Sequence, residues 1–447
     1  MHLYDPLHDS FIGQGEAYPE SYWANTSDES SEDDGILTED KDVEVAIIGA
    51  GYTGLSCALQ LSRHHNIKPL VLEANQVAWG CSGRNAGFVL PSSGRMAFSQ
   101  MTAKWGEEVM RGIHAEMQQG VSNIKAFIEE GVDCDVQPAG YLKLAHKPSE
   151  LTKLIAQAEL LKQTFNDQIE ILSESDVKQN FMDDCNAYGG IRFTSGFGLH
   201  PLKLAKGIHK LARENGSRVH TGTPVISIDN EGKYQVLQTP RAKIRAKKVV
   251  IATNGYTPKG FHPLIKNRSL PVLSQIIVTE PLSDKQIEAC NFMTSNVVMD
   301  TRALKYYYRK LPDNRILFGG RGAISGKSAE DPYYANRLLS VLKLSFPALT
   351  TLKIAYAWSG WICMSLDDIP HIYQNEDQTM FYGMGYCGSG VSFSTQMGKR
   401  IADKVVGLEV PNIPLYQTPL PKFPLAPLRR VGQWGYFQYG LVKDKWF

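Results

Sequence analysis

The chain has 447 residues, 43% hydrophobic and 21% charged, with a formal net charge of +1, so it can bury a large core and is expected to form two closely joined domains. Near-neutral charge excludes the broad electrostatic footprint of nucleic-acid or anionic-membrane binding. Seven cysteines without CxxC or Cys/His ligand spacing, no leader pattern and no apolar run of about 18 residues point to a cytoplasmic protein with no metal site and no transmembrane segment.

In chain order, residues 27–42 are acidic and serine-rich (Asp28, Glu29, Glu32, Asp33, Asp34, Glu39, Asp40) and read as a solvated arm, preceded by an aromatic stretch at 18–23 that should pack on the body. Residues 43–48 form an apolar strand signal, 52–65 carry Leu55, Ala58, Leu59 and Leu61 at helical spacing, and 69–73 is a second strand, completing a βαβ unit. Helices are expected at 105–129, 150–165 and 203–214, the last closed by Asn215-Gly216. Strands follow at 218–228, 234–237 and 247–252, then an antiparallel group at 270–279, 306–311 and 315–319. A helix at 332–346, strands at 352–358 and 380–384, and a helix at 394–406 complete the pattern. The aromatic tail at 434–447 is expected to be a helix packed on the body or across a subunit contact.

The first strand runs into Gly49-Ala50-Gly51-Tyr52-Thr53-Gly54. In a dinucleotide fold these glycines permit a tight turn, close approach of a pyrophosphate and close helix–strand packing, while the helix N-terminus attracts the phosphates. Glu73, ending the second strand, is placed to accept from a ribose. FAD and NAD both satisfy this unit. Three further segments favour FAD: Ser82-Gly83-Arg84-Asn85-Ala86-Gly87, the strand-end turn Thr253-Asn254-Gly255, and the loop bearing Gly385, Tyr386, Gly388, Ser389, Gly390 and Val391. That last loop contains a second GxGxxG match, but no acid-ended strand follows its helix, so it suits a cap over the flavin ring better than a second dinucleotide site.

At these segments, and at His200-Pro201, Tyr307-Tyr308-Arg309 and Asp313-Asn314-Arg315, the chain resembles the D-amino-acid oxidase-like (DAO) flavoprotein superfamily of glycine and sarcosine oxidases. The resemblance implies an α/β fold: a Rossmann-like FAD-binding domain of the glutathione reductase/DAO type with an α+β antiparallel-sheet substrate domain. By that plan, residues 1–39 form an arm, 40–95, 195–256 and 372–408 the FAD domain, 96–194 and 257–371 the substrate domain, and 409–447 a tail. It also implies oxidation of an amine C–N bond, with hydride passing to flavin N5 and water hydrolysing the imine. A gamma-glutamylated putrescine or similar polyamine conjugate is the expected substrate, and oxygen or another acceptor takes the electrons. The alternatives are an N-methyl- or D-amino-acid substrate, or a protein partner modified by the flavoprotein.

Tyr307, Tyr308, Arg309 and His200 are the candidate catalytic residues. Alternation along a strand turns Tyr307 away from its neighbours Tyr306 and Tyr308, and Arg309 or Arg302 offers a fork for a carboxylate, although surface ion pairing is the commoner fate of such arginines. His200 sits at a strand–helix boundary, where a structural role competes. Val225 and Trp358 join the cofactor-binding set, with Trp358 weighed as a cage wall against a core tryptophan. Cys363 and Cys387 lie where some relatives attach flavin, but the spacing to the following aspartates is shorter, so non-covalent FAD is expected.

Overall fold

A computed structural model describes residues 3–27, 32–92 and 94–446; Asp28 and Glu29 of the acidic segment and Phe447 of the tail lie outside them. The first of two large sheets has eight strands. Its spine is the strand Lys41–Ile48, paired in parallel with Lys243–Ile251 on one side and Leu70–Leu72 on the other. Met380–Met384 continues the sheet beyond Lys243–Ile251, and Arg218–His220 lies beyond Leu70–Leu72. Ala46, Ile47 and Ile48 face Val249, Val250 and Ile251 in register, and their unbroken apolar run is what a strand covered on both faces requires. Helices Tyr52–His64, Pro201–Glu214 and Phe393–Val405 contribute Leu55, Ile208 and Met397 to one cluster, while Leu70, Ile244 and Tyr382 belong to another.

The second sheet also has eight strands, running from Ile354–Met364 through Leu270–Thr279, Ile316–Arg321, Tyr307–Lys310 and Val297–Asp300 to Tyr141–Leu144, Gly190–Phe193 and Ile169–Leu172. Its pairings are antiparallel except that between Val297–Asp300 and Tyr141–Leu144. Tyr308, Phe318 and Val298 pack with Leu338 and Leu342 of helix Pro332–Ser345. Alternation therefore turns Tyr307 and Gly319 to the opposite face.

Several expectations need correction. The strand expected over 218–228 is two strands, Arg218–His220 and Ser227–Glu231, because Gly222 turns the chain with φ 59° between them. The helix expected from 105 begins at Glu107; Gly106, at φ 85°, separates it from another helix, Phe98–Trp105. The acidic arm is not simply solvated. Asp34 donates its N–H to the Val219 carbonyl at 2.9 Å, accepts the Val219 N–H on a carboxylate oxygen at 2.7 Å and pairs with Arg218 at 3.1 Å. It thus covers the edge of the first sheet, where an open strand invites unwanted pairing. Tyr22 and Trp23 are buried as expected, and the tail is a helix, Arg429–Trp446. Among the described residues no helix is long and apolar enough to cross a membrane.

Candidate active site

The carboxyl ends of Lys41–Ile48, Lys243–Ile251 and Met380–Met384 open into one cleft, which runs on beneath the second sheet. Ligands of open α/β sheets bind at such strand ends. Together with its open mouth the cleft spans about 2030 Å³ of space free of protein atoms.

At its inner end, Gly49 turns the chain at φ 106°, and a Cβ there would stand 3.0 Å from the carbonyl oxygen of Ala252. Gly51 lies against the second loop: Ser82 Oγ accepts from the Tyr52 N–H at 3.0 Å, and a Cβ on Gly51 would come within 2.9 Å of it. Helix Tyr52–His64 has no side-chain cap and no acid in its first turn, leaving its positive end to an anion. Glu73 lines the cleft while accepting from the Ala50 N–H at 2.8 Å and the Asn75 N–H at 3.1 Å. Burial raises the Glu73 pKa against those bonds. A glycine turn fitted to a close backbone, an uncapped helix start and a carboxylate at the next strand end are the parts that a nucleotide diphosphate and its ribose need.

The other loops close around this turn. Asn85 is spent internally, its amide donating to Cys81 and Ser82 carbonyls and its oxygen accepting from the Gly87 N–H. Arg84 lies 4.2 Å over the Trp79 ring and donates to the Trp79 carbonyl. Asn254 accepts from the Gly385 N–H at 3.2 Å, joining the strand-end turn to the third glycine loop. Gly49, Gly51, Tyr52, Thr53, Glu73, Ser82, Arg84, Asn85, Ala86 and Val225 line the cleft, as do Thr253, Asn254, Tyr386, Gly388, Ser389, Gly390 and Val391. Ala50, Gly54, Gly83, Gly87, Gly255 and Gly385 stand behind that wall and shape the turns.

Of the four candidate catalytic residues, the cleft admits only Tyr307. Its ring lies across Gly319, where a Cβ would be 2.1 Å from it, and its hydroxyl is 2.6 Å from Ser274 Oγ. Burial pushes its pKa up to about 12. Tyr308 points into the opposite core and donates to Asp184 at 2.5 Å. Arg309 is on the Tyr307 face but 1% exposed, donating to the carbonyls of Ala86 and Leu199 and to Gln137. Burial lowers its pKa to about 9, with Tyr22 and Asp135 offsetting part of the effect. It is a clamp on the second loop rather than a substrate fork. His200 is a helix cap: Nδ1 accepts from the Lys203 N–H, the ring packs 4.7 Å from Trp23, and burial pushes its pKa down to about 3. Trp358 is a core residue whose indole N–H holds the Arg84 carbonyl at 2.8 Å. Arg302 is paired with Asp300 at 2.5 Å. Cys363 and Cys387 both line the cleft, yet burial raises both thiols, Cys387 to about 12, which opposes thiolate formation.

Sequence reasoning missed the wall of the cleft beneath the second sheet: Ser274, Met299, Lys305, Arg321 and Arg95. Ser274, Met299 and Arg321 share the Tyr307 face through register, since Met299 pairs with Tyr307, Tyr307 with Gly319, and Ser274 with Arg321. The strand pattern signalled each strand's alternation but not which strands are neighbours.

The profile of the family described as FAD dependent oxidoreductase (DAO) matches residues 44–404. Gamma-glutamylputrescine oxidoreductase of Escherichia coli is 33% identical over 391 residues, covering 87% of this chain and 89% of that protein. Probable oxidoreductase OrdL of Haemophilus influenzae is 31% identical over 378 residues, 83% of this chain and 84% of that protein. Among solved structures, glycine oxidase from Geobacillus kaustophilus superposes with a TM-score of 0.69 at 18% identity, over 85% of this chain and 99% of that one. L-proline dehydrogenase from P. horikoshii gives 0.70 at 18% identity, over 84% and 96%.

Proposed function

The chain belongs to the DAO family of FAD-dependent oxidoreductases, and from that membership we propose that it oxidises an amine C–N bond, with gamma-glutamylated putrescine or a similar polyamine conjugate as substrate. The observation that carries the substrate reading is the 33% identity to gamma-glutamylputrescine oxidoreductase across 87% of the chain. The cleft supports it by joining a nucleotide end at Glu73 to a chamber floored by Tyr307.

In this reading the Gly49–Gly54 turn and the start of helix Tyr52–His64 hold the pyrophosphate, Glu73 accepts from the ribose, and Val225 borders the adenine end. FAD, bound without a covalent link, supplies the hydride acceptor. The loops at Ser82–Gly87 and Tyr386–Val391 then flank the ring and exclude water. Tyr307, tethered by Ser274, forms a wall of the chamber. Lys305, Arg95 and Arg321 place positive charge around the bound amine and so favour its neutral form, which alone can yield a hydride from the adjacent carbon. Burial, reinforced by Lys143, Arg95 and Arg321, lowers Lys305 itself to about 7.

The test is a panel of amines offered to the FAD-loaded protein: gamma-glutamylputrescine, free putrescine, N-methyl amino acids and D-amino acids. Turnover confined to the amino acids would replace the polyamine-conjugate reading with an amino-acid one. Hydrogen peroxide yield in air, set against reduction of an artificial acceptor, assigns oxygen or another acceptor.

A further inference from the structure

We propose that helix Arg429–Trp446 docks on the surface of an anionic phospholipid bilayer through its outward face. The helix is built inside out. Its inward residues recur as Gln433, Phe437, Gly440 and Asp444, the spacing of one helical face. Only one of these four is a large apolar side chain. Gln433 is buried and accepts from Arg430 at 2.9 Å, and a Cβ on Gly440 would lie 2.7 Å from Leu304. The Asp444 carboxylate accepts from the Ala303 and Leu304 N–H groups at 2.7 and 3.0 Å, while Phe437 packs against Val272, Met364 and Cys387. The opposite side carries Val431, Trp434, Tyr439, Leu441, Val442 and Trp446, each more than half exposed and Trp446 at 70%. Leu425 and Leu428 extend the exposed apolar surface ahead of the helix. An ordinary surface helix buries its apolar stripe and shows water its polar one. Single exposed hydrophobic residues need no explanation, but a contiguous set marks a contact surface.

Charge selects what covers this face. Arg429 at the start of the helix, and Lys443 and Lys445 in its last turn, have no ion pair among the described residues. Lys147 adds another cation, donating to the Lys443 carbonyl at 3.0 Å. The one acid of the helix, Asp444, is occupied by backbone amides. The whole chain carries only +1, so the attraction is local to this helix. A second copy is disfavoured: two such helices side by side, in either direction, set a basic end against a basic end. Acidic headgroups offset the same cations. At 3.6 residues per turn Val431 and Val442 fall on one line, with Trp434 and Leu441 on one flank and Tyr439 and Trp446 on the other. Aromatic rings beside an aliphatic stripe suit the boundary between headgroups and acyl chains, where the ring is buried and its polar atom stays wet. Gln438 and Lys445 fall on the same side, and a lysine there reaches back to the headgroups along its apolar stem. The helix also adjoins the cleft: Arg95, in the cleft wall, donates to the Tyr436 hydroxyl at 3.2 Å, and Leu304 precedes Lys305 in that wall. Docking therefore sets this wall of the cleft beside the headgroups.

The test uses the FAD-loaded full chain and does not depend on which amine it oxidises. Co-sedimentation is measured with vesicles of phosphatidylethanolamine and phosphatidylglycerol and with vesicles of phosphatidylcholine alone; sedimentation velocity without lipid reads the oligomeric state. We expect binding to the anionic vesicles to exceed binding to the neutral ones by roughly 10-fold or more, the scale of two or three basic residues near an anionic surface. Tryptophan emission should move to shorter wavelength on binding. Trp434→Gln combined with Leu441→Gln should weaken vesicle binding by roughly 10-fold or more, as two apolar side chains no longer leave water. The melting temperature should stay unchanged, because both side chains face outward. Lys443→Gln combined with Lys445→Gln should remove most of the preference for anionic lipid. No binding to anionic vesicles, equal binding to both kinds, or undiminished binding by the Trp434→Gln, Leu441→Gln protein would overturn the proposal. So would a dimer that this same double substitution dissociates, since a second copy would then cover the face. If that protein melts early, the lysine substitutions decide: an undiminished preference for anionic lipid in them overturns the proposal.

Discussion

The hydroxyls of Thr53 and Tyr386 lie 2.5 Å apart, buried, and join the helix that opens at the first glycine turn to the glycine loop 333 positions later in the chain. Both residues line the cleft, so one hydrogen bond ties the nucleotide end to the loop proposed to border the flavin ring. Tyr386→Phe leaves the Thr53 hydroxyl unpaired and should cost about 1–2 kcal/mol. In a double-mutant cycle with Thr53→Val, read by urea unfolding of the FAD-loaded protein, a coupling of about 1 kcal/mol is expected. A coupling near zero would show that the two loops are held together by other contacts.

Arg309 acts on the backbone of Ala86 and Leu199. Arg309→Met strands those two carbonyls and the Gln137 side chain in a dry interior, so stability should fall by about 3 kcal/mol and FAD should be held less tightly. The KM of the molecules that remain folded should change little. A large rise in KM with an unchanged melting temperature would instead place Arg309 on the substrate.

Lys305 gives a pH signature. Below about pH 7, where Lys305 is itself charged, that charge lowers the pKa of a bound amine, so Lys305→Met should move the acid end of the limb of flavin reduction to higher pH. Rapid mixing across about pH 6–10, the range in which amines titrate, reads the limb directly. A shift toward lower pH would contradict the assigned electrostatics.

Glu116 binds two helices: its carboxylate accepts from Arg400 at 2.7 Å, Gln396 at 2.7 Å and Tyr416 at 2.7 Å. Burial favours the neutral acid, but these bonds outweigh it and lower the pKa below the ordinary value. A depressed carboxylate pKa contributes stability above the unfolded value of about 4.3, lost as pH falls through the folded pKa. Glu116→Gln should therefore lower stability near neutral pH by about 1–3 kcal/mol, because Arg400 loses its charge-assisted bonds to Glu116 and keeps only Asp403, at 3.1 Å, and should flatten the loss of stability in acid. Melting temperatures of both proteins between about pH 3 and 7 test this; parallel curves would rule the linkage out.

How much of this was legible beforehand depended on locality. The first βαβ unit and the glycine turns are local patterns, and 43–48, 52–65 and 380–384 read almost as they fold. Residues 141–144, 169–172, 190–193 and 297–300 gave no strand reading, because each is a strand of only four residues and the pairing of 141–144 with 190–193 and 297–300 joins remote stretches of chain. The same remoteness hid Arg321 and Lys305 while drawing notice to Arg309, whose charge is spent inside the protein. Tyr307 and Tyr308 were adjacent in the motif and landed on opposite faces, an outcome that alternation required and only the second core could orient.

The most direct measurement mixes the FAD-loaded protein with gamma-glutamylputrescine without oxygen and follows the flavin absorbance. The account predicts that the oxidised band bleaches in a substrate-dependent reaction and that one equivalent of aldehyde appears on quenching. A band that stays oxidised with this conjugate, while another amine bleaches it, would contradict the proposed substrate.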